Sequence, residues 1–208
     1  MGQSMPDEYQ YERDDQYCYP GTHILVNKLG IVDETTLSDV ERKITYARLV
    51  ELGVSPVKGN FDLSHLQAIH RYIFQDIYAW AGEVRNCDFL VKGDTIFCRG
   101  PFIGSYGQRV FEKLKADDYL RALDQKQFVE KIAFYMGEVN ALHPFREGNG
   151  RTQREFFRCL AQKARYELDF TGIDKEKHLQ ADIAAFDLDY EPLQAVLKIA
   201  VKKFVADP

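Results

Sequence analysis

Apolar residues recur at three- and four-residue steps through most of this chain, and that spacing restricts the fold more than any other feature. The clearest stretches are residues 62–80 and 125–142. One face of the second stretch consists of Phe128, Ile132, Tyr135, Met136, Val139 and Leu142. Such spacing is typical of helices that bury one side. Further helices are predicted over residues 35–52, 102–121, 151–166, 174–185 and 191–205.

Residues 86–99 differ from this pattern. Phe89-Leu90-Val91 and Thr95-Ile96-Phe97 are two short β-prone runs on either side of Lys92-Gly93-Asp94, which predicts a β-hairpin. Two strands alone cannot enclose a core, so the hairpin should lie on a helical body. The predicted fold is therefore all-α, a helical bundle that carries one small hairpin.

Length and composition set the domain organisation. The 208 residues, 45% of them hydrophobic, suffice for one buried core. We expect a flexible acidic tail over residues 1–19, an N-terminal helical segment over 20–60 and a core domain over 61–205. No run approaches the roughly 20 apolar residues of a membrane-spanning helix, and no apolar signal segment begins the chain. A soluble, cytoplasmic protein is predicted. The net charge of −5 argues against direct nucleic-acid binding.

Twelve consecutive residues, His143 to Arg154, combine an imidazole, a carboxylate, a glycine-rich turn and two arginines. Pro144 disfavours the α conformation in the residue before it, so the preceding helix should end at His143. Gly148-Asn149-Gly150 can turn successive N–H groups toward one point. The next helix begins at about residue 151 and directs the positive end of its dipole there. This junction predicts a phosphate-binding site.

The charged side chains indicate what such a site would do. Arg151 and Arg154 lie three apart in the first helical turn, where positive charge is unfavourable unless an anion binds. Glu147 is suited to hold Mg²⁺, which takes one or two carboxylates plus phosphates. His143, with an unperturbed pKa of about 6.5, can deprotonate an attacking hydroxyl. The alternative is a structural loop with solvated arginines, and the complete set of residues argues against it.

These residues resemble the signature of the Fic (filamentation induced by cAMP) family, H-x-F-x-[DE]-G-N-G-R-x-x-R, at every specified position. Ile69-His70, residues 74–78 and Trp80-Ala81-Gly82 with Arg85 resemble the family's upstream helix. The hairpin at 88–98 falls where the family has its flap. The resemblance covers roughly residues 20–205 and implies a Fic-type helical bundle with the flap over the active site.

The resemblance implies protein adenylylation, in which AMP passes from ATP to a target hydroxyl and pyrophosphate is released. His143 would be the general base, Glu147 would hold Mg²⁺ on the α- and β-phosphates, and Arg154 would bind the γ-phosphate. The other phosphate-binding residues would be Gly148, Asn149, Gly150 and Arg151. Tyr190 is a candidate for the adenine pocket, with plain packing as the alternative.

The flap would bind an extended segment of the target protein by strand addition. Its predicted residues are Val91, Lys92, Gly93, Asp94, Thr95, Ile96 and Phe97. Many family members are inhibited by a helix bearing [ST]-x-x-x-E-[GN], and this sequence lacks that pattern. We therefore expect a separate small antitoxin protein, as in toxin–antitoxin members of the family.

The sequence does not identify the target protein. The toxin-like members modify a tyrosine of type II topoisomerase subunits, and other members are delivered into host cells and modify small GTPases. The absence of an attached delivery domain favours the first kind. A non-catalytic domain that binds a nucleotide and a partner is the alternative from a different functional class.

Overall fold

The computed structural model of the protein describes residues 16–87, 90–92 and 95–204, together with the backbone of Tyr9–Tyr11. The helices in these ranges are α1 (Glu34–Val54), α2 (Leu63–Phe74), α3 (Ile103–Ala116), α4 (Gln125–Leu142), α5 (Asn149–Lys163), α6 (Lys175–Phe186) and α7 (Glu191–Ala200). The strands are β1 (Tyr9–Tyr11), β2 (Leu90–Lys92), β3 (Thr95–Ile96), β4 (Tyr166–Leu168) and β5 (Val201–Lys203). The predicted helical fold with a small hairpin is confirmed.

Helix α4 occupies the centre of the bundle and contacts α3, α5, α6 and α7. The six apolar residues predicted to line its inner face are all buried. The helix begins at a capping box, in which the Asp124 carboxylate accepts from the Gln127 amide and the Gln127 side chain accepts from the Asp124 amide. It ends at His143, whose φ of 41° is left-handed. These bounds coincide with the predicted range.

Helix α2 is shorter than the predicted range of 62–80. It ends at Phe74, and the chain continues in a turn in which the amides of Ile77 and Tyr78 both donate to the Phe74 carbonyl. Ile77 and Tyr78 nevertheless remain buried. The apolar spacing therefore continued past the end of the helix and lengthened the predicted element.

A two-stranded sheet that the sequence did not predict joins the ends of two helices. Strands β4 and β5 pair antiparallel, with Tyr166 opposite Lys203 and Leu168 opposite Val201. The prediction extended the α5 helix to residue 166 and the α7 helix to residue 205. Three-residue strands are too short to interrupt a helical periodicity, which explains the error.

The predicted hairpin is present. Strands β2 and β3 pair antiparallel, with Val91 opposite Ile96 and Lys92 opposite Thr95. The predicted turn residues Gly93 and Asp94 lie outside the described residues. Strand β1 pairs antiparallel with the other edge of β2, which gives a three-stranded sheet in the order β1-β2-β3.

The flexible tail was predicted over residues 1–19, and its described part packs against the body. The Tyr17 and Cys18 side chains are buried. The Tyr17 ring lies edge-on to Trp80, with ring centroids 5.8 Å apart, and its hydroxyl donates to Asn86 Oδ1 at 3.3 Å. The packed chain therefore begins before residue 20, because two apolar side chains near the end of the predicted tail find partners in the core.

Helix α1 brings the N-terminal segment against α2 and toward α5. An ion pair between Arg48 and Asp76, 2.7 Å apart, joins α1 to the turn after α2. Asp33 caps the start of α1 by accepting from the Thr36 amide. Among the described residues, no helix is both long and apolar enough to cross a membrane.

Candidate active site

His143 lies between α4 and the loop that leads to α5. Its Nδ1 is 3.2 Å from the carbonyl of Asn140. A carbonyl can only accept, so Nδ1 carries the proton and Nε2 is the basic nitrogen of the neutral ring. Only 5% of His143 is exposed, and burial lowers its pKa to about 3, with smaller contributions from the charges of Arg85 and Lys92. The imidazole is therefore neutral at physiological pH.

The loop after His143 is held in shape by the side chain of Asn149. Its Oδ1 accepts from the Phe145 amide at 2.9 Å, and its Nδ2 donates to the Phe145 carbonyl at 2.7 Å. The Phe145 ring is buried and stacks on His70 with centroids 3.9 Å apart. The Asn149 side chain thus fixes the loop, so any anion contact of this residue would come from its backbone.

His70 supports the same loop from α2. Its Nδ1 accepts from the Gly82 amide at 2.8 Å, so its Nε2 carries the proton and donates to the Glu147 carbonyl at 3.0 Å. The residue is fully buried, and burial lowers its pKa to about 3. His70 is therefore a hydrogen-bonded core residue that supports the loop.

Helix α5 lacks the aspartate cap that begins four of the other helices of the described chain. Helices α1, α2, α4 and α6 are each capped by an aspartate side chain at their N-terminus. The N-cap of α5 is Gly148, and the first turn of α5 contains no acidic residue. Helix geometry leaves the first N–H groups without partners inside the helix. The start of α5 is therefore electropositive and available to an anion.

Gly148 is required by its surroundings. Its φ is +80°, in the region that favours glycine, and a Cβ here would lie 2.2 Å from Cζ of Phe74. The Gly148 amide donates to Glu147 Oε1 at 2.8 Å. The close packing of Phe74 therefore explains why position 148 is glycine. The amide of this glycine also orients the Glu147 carboxylate.

Glu147 is the predicted Mg²⁺ ligand, and its side chain is partly exposed beside the start of α5. No cluster of three or more histidine, cysteine or carboxylate side chains suited to a metal occurs in the described ranges. A single carboxylate fits Mg²⁺ when phosphate oxygens and water complete the octahedron, since Mg²⁺ is usually bound in this way. The residues present therefore suit a metal that arrives with a nucleotide.

Arg151 contacts α1, a contact that the sequence did not predict. Its Nη2 lies 2.6 Å from Oε1 of Glu41, and its Nη1 donates to Thr45 Oγ1 at 3.1 Å. The hydroxyl of Tyr78 donates to the other oxygen of Glu41. The sequence predicts that the charges of the two first-turn arginines are balanced only by an anionic ligand. Glu41 supplies part of that balance from within the chain.

Arg154 is exposed and lies over Gly150, where an added Cβ would be 3.4 Å from Nη1 of Arg154. It lines an open pocket of about 550 Å³ together with His178 and Asp182 of α6. The two arginines therefore face different neighbours, α1 for Arg151 and α6 for Arg154. The predicted shared helix face becomes two adjoining faces of the same helical turn.

The flap covers His143. The Phe97 ring stacks on the imidazole with ring centroids 3.7 Å apart and planes inclined by 21°. The Phe97 amide donates to the Leu90 carbonyl at 3.0 Å, and the Cys98 amide donates to the Ala141 carbonyl of α4 at 2.9 Å. The hairpin is thus joined to the end of α4 next to His143.

Arg85 joins the flap to the loop of His143. The guanidinium is fully buried, and its Nε donates to the His143 carbonyl at 2.8 Å. Its Nη1 donates to the Cys87 carbonyl at 3.2 Å, and its Nη2 donates to the Cys98 carbonyl. One side chain therefore binds the chain before the hairpin, the chain after it and the backbone of the candidate base.

Tyr190 is half-buried at the start of α7. Its ring lies 5.8 Å from that of Phe134, and a Cβ on Gly137 would come within 2.8 Å of its Cε1. The contacts are with α4, and they fit the packing role that was the alternative for this residue. A role beside adenine stays a prediction.

Sequence reasoning missed Glu41 and the role of Arg85 as a bridge. A signal for Glu41 was present, because Leu37, Glu41 and Thr45 recur every four residues along one line of α1. A carboxylate on a line with buried residues needs a partner. No comparable pattern in the sequence indicates the role of Arg85.

Solved structures share this architecture. The BepC protein of Bartonella tribocorum, a VirB-translocated effector with bound AMPPNP, is 28% identical with a TM-score of 0.86, over 90% of this chain and 97% of that one. The N-terminal Fic domain of a Bartonella quintana effector with bound ADP is 30% identical with a TM-score of 0.86, over 90% and 95% of the two chains. The predicted Fic-type fold is confirmed.

Relatives in sequence agree with these structures. Protein adenylyltransferase VbhT of Bartonella schoenbuchensis is 38% identical over 194 residues, 93% of this chain but only 40% of VbhT. The probable protein adenylyltransferase Fic of Escherichia coli K12 is 38% identical over 200 residues, 96% of this chain and 98% of that protein. The predicted enzyme class, a nucleotidyltransferase, is the class these names state. A sequence model described as Fic/DOC family matches residues 60–161. The chain therefore belongs to the Fic/DOC family.

Proposed function

We propose that this chain is a protein adenylyltransferase, which transfers AMP from ATP to a hydroxyl side chain of another protein. One observation carries the proposal. The Asn149 side chain binds both backbone groups of Phe145, so a neutral imidazole and an uncapped helix start are held at the two ends of one short loop. Such a loop offers a base beside a phosphate-binding site, which is what transfer of a nucleotide to an alcohol needs.

The reaction is a direct displacement. The target oxygen bonds to the α-phosphorus of ATP while the bond from that phosphorus to the bridging oxygen of the β-phosphate breaks, and pyrophosphate leaves. The hydroxyl proton passes to Nε2 of His143. The N–H groups at the start of α5, from Gly148 through Arg151, would bind the phosphates, and Arg154 would bind the γ-phosphate. Tyr190 would border the adenine.

Glu147 would hold Mg²⁺ against the α- and β-phosphates, and the ion would neutralise charge on the leaving pyrophosphate. The relatives solved with AMPPNP and ADP support nucleotide binding by this fold. The Gly148 amide and Arg151 both contact Oε1 of Glu147, so Oε2 would be the oxygen that binds the metal.

We further propose a cytoplasmic toxin whose target binds the flap edge through an extended segment, with tyrosine as the acceptor and a type II topoisomerase subunit as the candidate target. The absence of the [ST]-x-x-x-E-[GN] pattern supports inhibition by a separate antitoxin protein. A translocated effector that modifies host GTPases is the second candidate, and the similarity to Bartonella effectors favours it.

The test is a comparison of two ATP labels. The purified chain is incubated with bacterial lysate and with ATP labelled on either the α- or the γ-phosphate. We expect protein bands with the α label alone. His143→Ala should abolish them while ATP binding persists, and His23→Ala, at an exposed histidine, should not change them. Transfer of the γ label would indicate a kinase, and a partner phenotype that survives His143→Ala would indicate a non-catalytic interaction domain.

A further inference from the structure

The outer edge of the flap is occupied by the chain itself. Strand β1 pairs with β2 in an antiparallel register that sets Tyr9 opposite Lys92, Gln10 opposite Val91 and Tyr11 opposite Leu90. Strand β2 therefore lies between β3 and β1. The edge on which a target strand would add is already taken by three residues of the N-terminal segment.

This edge is close to the candidate base. Leu90 accepts from the amide of Phe97, and Phe97 stacks on His143. Neighbouring strands are about 4.8 Å apart, so the backbone of β1 runs roughly 10 Å from the strand that leads into Phe97. The edge taken by the backbone of β1 is therefore the one along which a target segment would approach His143.

The segment Tyr9–Tyr11 is also held near the flap by the residues that follow it. Tyr17 and Cys18 are buried, and the Tyr17 hydroxyl is bonded to Asn86, just before the hairpin. Five residues separate Tyr11 from this anchor. A short tether gives an effective concentration on the order of millimolar at the edge. A strand edge pairs with one strand at a time, so the segment and a target exclude each other.

The sequence of the segment matches the proposed acceptor. Tyr9-Gln10-Tyr11 has a phenol at two of its three positions. We propose that Tyr9–Tyr11 is an internal ligand of the target-docking edge, where it competes with the target and where one of its tyrosines accepts AMP. This proposal rests on the adenylyltransferase function proposed above.

The self-modification uses the same chemistry. The phenol oxygen of Tyr9 or Tyr11 bonds to the α-phosphorus of ATP, the bond to the β-bridging oxygen breaks, and pyrophosphate leaves. The phenol proton passes to Nε2 of His143. No reactant other than ATP is needed.

The first experiment locates the label. The full chain is incubated with α-labelled ATP and Mg²⁺, alone and with lysate, and the modified peptide is identified by mass spectrometry. We expect AMP on Tyr9 or Tyr11, at a rate per molecule that does not change with protein concentration. The double variant Tyr9→Phe/Tyr11→Phe should lower self-labelling roughly tenfold or more. The control Tyr46→Phe, at an exposed tyrosine of α1, should not.

The second experiment tests competition. Gln10→Pro removes an amide and disfavours the strand. It should lower self-labelling and raise the initial rate of lysate labelling, with the thermal unfolding curve unchanged. AMP on another residue, or a lysate rate unaltered by Gln10→Pro, would overturn the proposal while leaving the transferase intact. Absence of both self-labelling and lysate labelling would refute the transferase and this proposal with it.

Discussion

The Phe97 ring lies nearly parallel to the imidazole of His143, with 3.7 Å between the two ring centroids. This stacking contributes to the burial that lowers the pKa of His143 to about 3. The flap thus covers the candidate base. A hydroxyl can reach Nε2 only from a direction that the ring leaves open.

Phe97→Ala should move the acid limb of the pH–rate profile. Removing the ring exposes the imidazole to water, so the pKa of His143 rises toward about 6.5. The base is then protonated at a higher pH, and kcat should begin to fall below about pH 6.5, where the unchanged protein stays active. Rates from pH 5 to 8 measure this. Phe102→Ala, at an exposed ring, is the control. An unshifted limb would show that Phe97 does not set the pKa.

Glu41→Gln should weaken the link between α1 and α5. The carboxylate is 13% exposed and the Arg151 side chain 23%, so the pair is only partly screened by solvent. We expect a loss of about 1–3 kcal/mol in the free energy of unfolding, measured with urea. Asp39→Asn breaks the exposed pair with Arg42 on the same helix and should cost less than about 0.5 kcal/mol. Equal effects would contradict a special role for Glu41.

A double-mutant cycle separates the pair from its surroundings. Glu41→Gln and Arg151→Gln should together cost clearly less than the sum of the two single changes, because each single change leaves one charge without its partner. Additive effects would mean that the two side chains do not stabilise each other.

Gly148→Ala should be strongly destabilising. The new Cβ would overlap the ring of Phe74, and the positive φ of this position strains any L-residue. We expect a loss of more than about 2 kcal/mol, with phosphate binding also impaired. Gly104→Ala, in α3 with nothing near its Cβ, should be neutral or stabilising by up to about 1 kcal/mol. Thermal unfolding of both variants checks the contrast, and comparable melting temperatures would refute it.

The two buried histidines predict a loss of stability in mild acid. Burial lowers the pKa of both His70 and His143 to about 3, so the unfolded chain binds more protons below about pH 6.5. Stability is fully present above that pH and declines as the pH falls toward 3. Between pH 7 and 5 each histidine should cost about 2 kcal/mol. His70→Gln should remove about half of this slope in urea unfolding at several pH values. An unchanged slope would mean that His70 does not titrate as described.

The sequence could predict the parts of the molecule that depend on neighbours along the chain. Helix α4 was predicted to the residue, since its capping box, its apolar face and the proline after His143 are all local. The loop and the start of α5 could also be predicted, because the glycines, the asparagine and the arginines that form them lie within a few residues of one another. The burial of His70 is also local in origin, because this residue shares the apolar face of its helix with Ile69, Ile73 and Leu66.

The features of the fold and of the site that could not be predicted depend on contacts between residues distant in sequence. Glu41 reaches Arg151 across 110 positions, and Arg85 reaches His143 across 58. Neither partner can be chosen without the fold. Strands β4 and β5 exist because the ends of two helices meet, which no single segment specifies. The pairing of β1 with the flap is of the same kind, since the tyrosines of an acidic segment gave no sign of a sheet partner.

The three hydrogen bonds that the Arg85 guanidinium donates link the flap to the candidate base. Both ends of the hairpin and the backbone of His143 are bonded to one rigid, planar group, which couples the position of the flap to that of the base. A peptide that paired with the flap would then be held at a fixed distance from the imidazole, whatever its own side chains. The acceptor residue would then be selected by its position along the paired strand and not by the identity of its neighbours.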